Sequence, residues 1–243
     1  MARLLSRGGR LGAQPFLQPL LAAAERDGYF LEYYQESKSW MPAGFRDWGE
    51  YEDRARELTI WVPNVLDGTV QTEDYARALI RDYPGVTDEV LAARLNNRMA
   101  RQQRLLRDDG PRFVLLVDQV ALYRAVGSAE IMAAQMRYLA EIAARPRVTV
   151  QVVPPVGHPL STAMAIITDE AAYTERALGG SVHTSEDSVT RLRDLVGRVR
   201  SEAWPASESL AMIQEADTRW SGVKVRTAAT AARRASKRPR GKA

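Results

Sequence analysis

The chain has 243 residues and a mass of 27.1 kDa. Its 45% hydrophobic and 26% charged residues suffice for a core in one or two domains and exclude a wholly disordered or collagen-like polymer. No cysteine is present, which removes disulfides, cysteine-ligated metals and thiol nucleophiles; no apolar run approaches the roughly 20 residues of a membrane span, and MARLLSRGGRLG is no secretory signal, so the expected compartment is the cytoplasm.

The net charge of +4 is unevenly spread. Of 34 basic residues, eight fall in 223–243 and three in the first fourteen, leaving 23 against 30 acidic residues between Pro15 and Gly222. That body carries −7, which argues against a nucleic-acid groove in the folded part.

Residues 1–14 read as a flexible arm. From Pro15 to about Glu36, Phe16, Leu17, Leu20, Leu21 and Ala24 recur at helical spacing. A second helix is predicted from about Phe45 to Trp61, with Trp48, Tyr51, Ala55 and Leu58 on one stripe and Pro63 ending it. VPNVLDGTVQ is a turn, and Thr72 precedes a helix over EDYARALIRD with Glu73 and Asp74 in its first turn. The next helix spans about Thr87 to Arg107, with Leu91, Leu95, Met99, Gln102 and Leu106 as its buried stripe and Asp109-Gly110-Pro111 as its stop.

The period then changes. FVLLVD (113–118) and VTVQVVP (148–154) read as strands around an amphipathic helix opened by Gly127-Ser128, a βαβ unit if the strands are parallel. Further strands are predicted at 163–168, 171–175 and 180–184, a meander beside that unit, the last two joined through Gly179-Gly180. Thr184 to Ala203 is a helix with Leu192, Leu195, Val196 and Val199 inward, and Ser207 caps a last helix reaching about Trp220. Residues 223–243 form a basic tail almost without large apolar residues, expected to be disordered. The fold class is α+β: a helical N-terminal half, a small mixed sheet covered by helices, and that tail. Leu116, Val150 and Ile166 are expected in the core of the sheet.

Chemistry is sparse. The histidines, His158 in a Gly-His-Pro turn and His183 in a strand, have no metal-ligand spacing, Ser161 has no nucleophile elbow, and no phosphate loop is present. No catalytic residue, metal or cofactor is assigned. The carboxylates Glu50, Glu52, Asp53 and Glu57, like Glu186 and Asp187, read as solvated ion-pair faces. Arg94, Arg98, Arg101, Arg104 and Arg107 form a stripe. It either pairs with acidic helices of the same chain, the simpler account, or offers a face to an anionic partner. Arg233, Arg234, Lys237, Arg238 and Arg240 in the tail suit weak, sequence-independent nucleic-acid binding. A solubilising extension explains them equally.

Several phrases together resemble one family. WGEYEDRARELTIWVPNVLDGTVQTEDYARALI is similar to a tryptophan–glutamate helix, a P-x-x-L turn and a QTEDYARAL box; RMARQQRLL is similar to the next box. VDQVALYRAVGSAEIMAAQMRYLAEIAARPRVTVQVVP resembles the longest box, and GHPLS, AAYTE and WPASESLAMI its closing segments. The family is the WhiJ-like, Xre-associated regulators of actinobacteria, with an antitoxin-like effector domain. The resemblance implies transcription regulation and a small acidic partner protein. It also implies an N-terminal helix-turn-helix, of which FLQPLLAAAERDGYF resembles the last helix; the expectation is that the rest lies upstream of this start or has been lost. DNA binding is then expected only weakly or through a missing N-terminal domain.

The domain reading is an arm (1–14), a remnant last helix of a DNA-binding unit (15–36), an effector domain (37–222) and the basic tail (223–243). The expected function is a regulatory effector domain that binds a partner protein or small signal. A stand-alone small-molecule sensor and a metabolite-tailoring hydrolase are the alternatives. The partner- or ligand-binding candidates, taken from the matched boxes, are Gln71, Thr72, Tyr75, Arg98, Arg101, His158 and Ser161.

Overall fold

The structure is a computed structural model; it describes residues 45–155, 164–176 and 179–223. The predicted helix at 15–36, the His158–Ser161 turn and the basic tail with Arg233, Arg234, Lys237, Arg238 and Arg240 lie outside the described residues.

In chain order the elements are α1 (Phe45–Arg54), β1 (Glu57–Val62), a 3-10 turn (Gly68–Val70), α2 (Glu73–Arg81), α3 (Asp88–Leu105), β2 (Arg112–Asp118), α4 (Gln119–Tyr123), α5 (Ala129–Ala143), β3 (Val148–Val153), β4 (Met164–Ile167), β5 (Ala172–Arg176), β6 (Gly179–His183), α6 (Glu186–Ser201) and α7 (Ala206–Ser221). The α+β expectation holds.

Helix starts follow side-chain capping. Thr72, Thr87 and Ser128 accept the backbone N–H of Tyr75, Val90 and Ile131, satisfying donors that the first turn leaves open. Gly127, before the Ser128 cap, has φ +67°, and a Cβ there would press on Ile131 and Ala78. The last helix departs from expectation: its N-cap is Pro205, without a side-chain cap, and Ser207 lies inside the first turn. Buried Ser209 instead ties α7 to the sheet, its hydroxyl accepting Val152 N–H at 2.9 Å.

The main correction is β1. The helix predicted to run to Trp61 stops at Arg54, and ELTIWV is a strand. Beyond Arg54 the period falls to two: Leu58, Ile60 and Val62 join one core, whereas Trp61 joins another. β1 is also central. The sheet order is β3-β2-β1-β4-β5-β6, with β1–β2 and β2–β3 parallel and β1–β4, β4–β5 and β5–β6 antiparallel. The predicted meander therefore stands beside β1, not beside the βαβ unit. Ile60 faces Leu115 on one side and Ile166 on the other. Gly179 and Gly180 are also not the turn itself; they pair with Arg176 and Glu175 inside the β5–β6 ladder. A Cβ on Gly180 would collide with the Tyr173 ring, so glycine is needed there for packing.

The sheet separates two cores. Leu58, Ile60, Val62, Leu115, Val117, Val150 and Ile166 pack with Trp48 of α1, Tyr75 of α2, Leu105 of α3, Met132, Met136 and Leu139 of α5 and Ile213 of α7. Trp61, Val114, Leu116, Ala165 and Ile167 of the other face pack with Val189, Val196 and Val199 of α6. Leu116, Val150 and Ile166 are buried as expected. Each such side chain contributes about 1.5–3 kcal/mol by leaving water. The β3 edge is closed by the α6–α7 junction, where Trp204 N–H donates to the Val152 carbonyl at 2.9 Å. Among the described residues no helix is long and apolar enough to cross a membrane.

Candidate functional site

Five of the residues singled out from sequence meet in one polar network on the larger core. Its centre is Arg101, on the inward side of α3 with Leu91, Leu95, Gln102 and Leu105. The buried apolar position at the helix end is Leu105; Leu106 packs only in part. Arg101 is 7% exposed and Glu52 of α1 is 2% exposed. Arg101 Nη2 and Nε donate to the two Glu52 carboxylate oxygens at 2.6 and 2.9 Å, a planar two-point pairing. Trp48 Nε1 donates to Glu52 Oε1 at 3.0 Å from one turn earlier on α1. The expectation of a solvated Glu52 is thereby overturned. Its four-residue spacing from Trp48 puts it on the buried face of α1.

Asp67 is the second buried carboxylate. Its Oδ1 accepts Thr69 N–H at 2.9 Å, capping the 3-10 turn, and lies 3.5 Å from Arg101 Nη1. Burial works against the Asp67 charge, but Arg101 and the Thr69 bonds outweigh it and hold the carboxyl below its ordinary value of 3.8. Burial likewise works against the Arg101 charge, yet Glu52 and Asp67 hold it above its ordinary range. The sequence signal for Asp67 was only its place before a glycine in a turn.

The QTEDYARAL box supplies the next layer. Gln71 is 1% exposed; its amide N–H donates to the Leu66 carbonyl and its amide oxygen accepts from Arg98. Gln102 Nε2 donates to the Gln71 carbonyl at 2.8 Å. Thr72 N–H donates to Gln135 Oε1 at 2.7 Å, while Gln135 Nε2 donates to the Val70 carbonyl at 2.7 Å. Gln135 thus reads both sides of the turn from α5. The buried Tyr75 hydroxyl accepts Leu66 N–H at 3.4 Å, and burial pushes it up to about 12. Buried polar groups at a turn need such partners, and each lost one costs about 1–3 kcal/mol.

Arg98 stacks along Gly68, and burial pulls its guanidinium below the ordinary range despite the nearby Asp67 charge. Across from it, the Tyr173 hydroxyl donates to Glu175 Oε2 at 3.1 Å, and the Tyr173 ring packs on Trp48 at 5.9 Å. Burial raises both groups, so Glu175 holds its proton above the usual carboxylate range. Sequence reading assigned no role to Tyr173 and Glu175; the AAYTE segment carried them only as a strand and as part of a matched closing segment.

The arginine stripe is spent largely within the chain. Arg104 meets Asp53 at 2.8 Å and Glu52 at 3.5 Å, and Arg107 meets Asp109 at 2.9 Å. His183 Nε2 lies 3.0 Å from Thr174 Oγ1. His158 and Ser161 are outside the described residues. Among the described residues no group of three or more histidines and carboxylates is placed to hold a metal. The arrangement locks α1, the turn, the start of α2 and the C-terminal half of α3 together, with carboxylates and guanidiniums facing one another.

A family model described as a domain of unknown function, DUF5753, matches residues 45–215. The chain belongs to that family. No curated protein matches it.

Proposed function

We propose that this DUF5753 chain is the regulatory effector domain of a transcriptional regulator, acting in the cytoplasm by binding a partner protein or small signal rather than by catalysing a reaction. The observation that supports the reading is the buried Glu52–Arg101 latch. It ties α1 to the layer built from the turn and α3. A catalytic carboxylate must reach a substrate, whereas both Glu52 oxygens are engaged and 2% of the residue is exposed. A latch of this kind suits signal transfer. α1 follows the segment that resembles the end of a DNA-binding unit, so a ligand that shifts α1 must work against a buried ion pair. Two sites become coupled when both bias one two-state element. The acidic partner and the transcriptional role rest on the resemblance of the boxes that meet here.

The test is deletion of the gene, RNA sequencing, and complementation. The expected result is a restricted set of changed transcripts that wild-type chain restores and Glu52→Gln, expressed at equal level, does not. An unchanged transcript profile through growth sinks the reading.

A further inference from the structure

On the opposite side of the sheet a cavity of about 250 Å³ opens between α6 and the β1–β4 pair. Period two on β1 turns Glu57 and Thr59 away from the larger core, whose β1 members are Leu58, Ile60 and Val62. On α6, Arg193, Gly197 and Arg200 stand at i, i+4 and i+7 and share the face over the opening. Ile167 forms an apolar wall, and Asp169 the far rim.

Four charged groups line this space: Glu57 and Asp169 on the sheet side, Arg193 and Arg200 on the helix side. Among the described residues, none of the four has an opposite charge within 4 Å. Elsewhere such groups pair readily, as Arg54 with Glu170 and Arg137 with Asp217. Their polar contacts are neutral ones. Arg193 Nη2 reaches the Thr168 carbonyl at 3.4 Å, Arg200 Nε reaches Gln151 Oε1 at 3.2 Å, and Asp169 Oδ2 accepts Arg56 N–H at 3.4 Å.

Gly197 sharpens the observation. A Cβ there would meet nothing within 4 Å, and its φ is not positive, so neither packing nor backbone calls for glycine. Glycine inside a helix is unfavourable relative to alanine. Its presence leaves the opening clear between the two arginines.

We propose that this cavity binds a small zwitterion of the free α-amino acid class. Its carboxylate meets Arg193 and Arg200, its ammonium meets Glu57 and Asp169, and a short apolar side chain lies on Ile167. A simple anion is repelled by the two carboxylates and a simple cation by the two guanidiniums; a molecule with both charges satisfies all four. The volume lies below the usual ligand-pocket range of about 300–1,000 Å³, which favours a single amino acid over a nucleotide or cofactor. The site does not depend on the regulatory reading above.

The experiment is an amide NMR titration of the full ¹⁵N-labelled chain. The probes are the common free amino acids one at a time, each to about 10 mM, above the Kd of a weak millimolar site. At least one is expected to give saturable shifts at the Thr168, Asp169 and Gly197 amides. Its N-acetyl derivative, lacking the ammonium, and its amide, lacking the carboxylate, should each bind about tenfold or more weakly, about 1.4 kcal/mol per tenfold. Gly197→Leu should block binding by filling the space. Arg193→Gln with Arg200→Gln should abolish it with an unchanged amide spectrum elsewhere, and decides the matter if Gly197→Leu does not fold. The proposal is overturned by no saturable shift at those amides for any probe, by equal binding of the derivatives, or by binding that survives the double arginine change.

Discussion

On one face of the sheet charges are buried in pairs beneath several helices; on the other they stand unpaired around a cavity beneath one helix. Glu52 and Asp67 are buried, and each pairs with the buried Arg101. Glu57, Asp169, Arg193 and Arg200 ring the opposite cavity, with no ion pair among the described residues. The difference teaches where rigidity and where recognition are placed. A buried pair has already given up its water, so either partner alone is strongly destabilising. Exposed charges keep their water and contribute little to stability, which leaves them available to a ligand. The paired face therefore holds the fold together, and the open face is free to bind.

The largest expected effect follows directly. Arg101→Ala leaves Asp67 and Glu52 buried without the cation they share, with only the longer Arg104 contact left to Glu52, and should lower stability by about 3–5 kcal/mol in urea or thermal unfolding. Arg193→Ala on the other face should change it by less than about 0.5 kcal/mol. Equal effects for the two arginines would erase the contrast between the faces.

Next in size come adjacent residues of β2. Leu115 belongs to the larger core and Leu116 to the α6 side, and both are fully buried. Truncation of either to alanine should cost about 2–5 kcal/mol. Leu115→Ala should sit at the upper end, because the well-filled core around it cannot collapse onto the cavity. A smaller loss for Leu115 than for Leu116 would show that α6 packs more tightly than the cavity implies.

Two of the carboxylates around Arg101, Asp67 and Glu175, respond to pH in opposite senses. Asp67 titrates below its ordinary 3.8 when folded, so its contribution is present above pH 3.8 and is lost as pH falls through the folded value. Glu175 titrates above its ordinary 4.5 when folded, so the folded chain binds the extra proton. Its contribution is present below pH 4.5 and is lost as pH rises through the folded value. Glu175→Gln carries no charge at any pH and should flatten that decline. Denaturant unfolding of both chains between pH 4 and 8 checks it; parallel curves would remove Glu175 from the network.

How much of this was legible in the sequence follows the physical range of each signal. β2, β3 and β4 are short apolar or β-branched runs between turn residues, and local pattern suffices for them. β1 was hidden because Trp48, Tyr51, Ala55 and Leu58 keep helical spacing across the end of α1. Its stability as a strand comes from β2 and β4 on either side, partners distant in sequence. Gln71, Thr72, Tyr75, Arg98 and Arg101 stand out from the boxes, but as candidates for an outside partner or ligand. Periodicity shows that arginines share a helix face, not whether that face meets water or a buried carboxylate 49 positions away. The cavity under α6 had no local signal at all, since Glu57 and Asp169 meet α6 only through the sheet.

The smallest effect belongs to two glycines, one on each side. Gly197 lies inside α6, where an added Cβ meets nothing within 4 Å. Gly197→Ala removes the backbone entropy of glycine in a helix without any clash, and should raise stability by about 0.5–1 kcal/mol. Gly68 opens the 3-10 turn beside the network, where a Cβ would lie 3.2 Å from Arg98 Nε. Arg98 is bonded to Gln71 and cannot retreat freely, so Gly68→Ala should lower stability although the chemical change is the same. Opposite signs in matched thermal melts carry the comparison to its finest scale. A stabilising Gly68→Ala would mean that Arg98 is loosely held, and the paired face would then be less tightly locked at that rim than at Arg101.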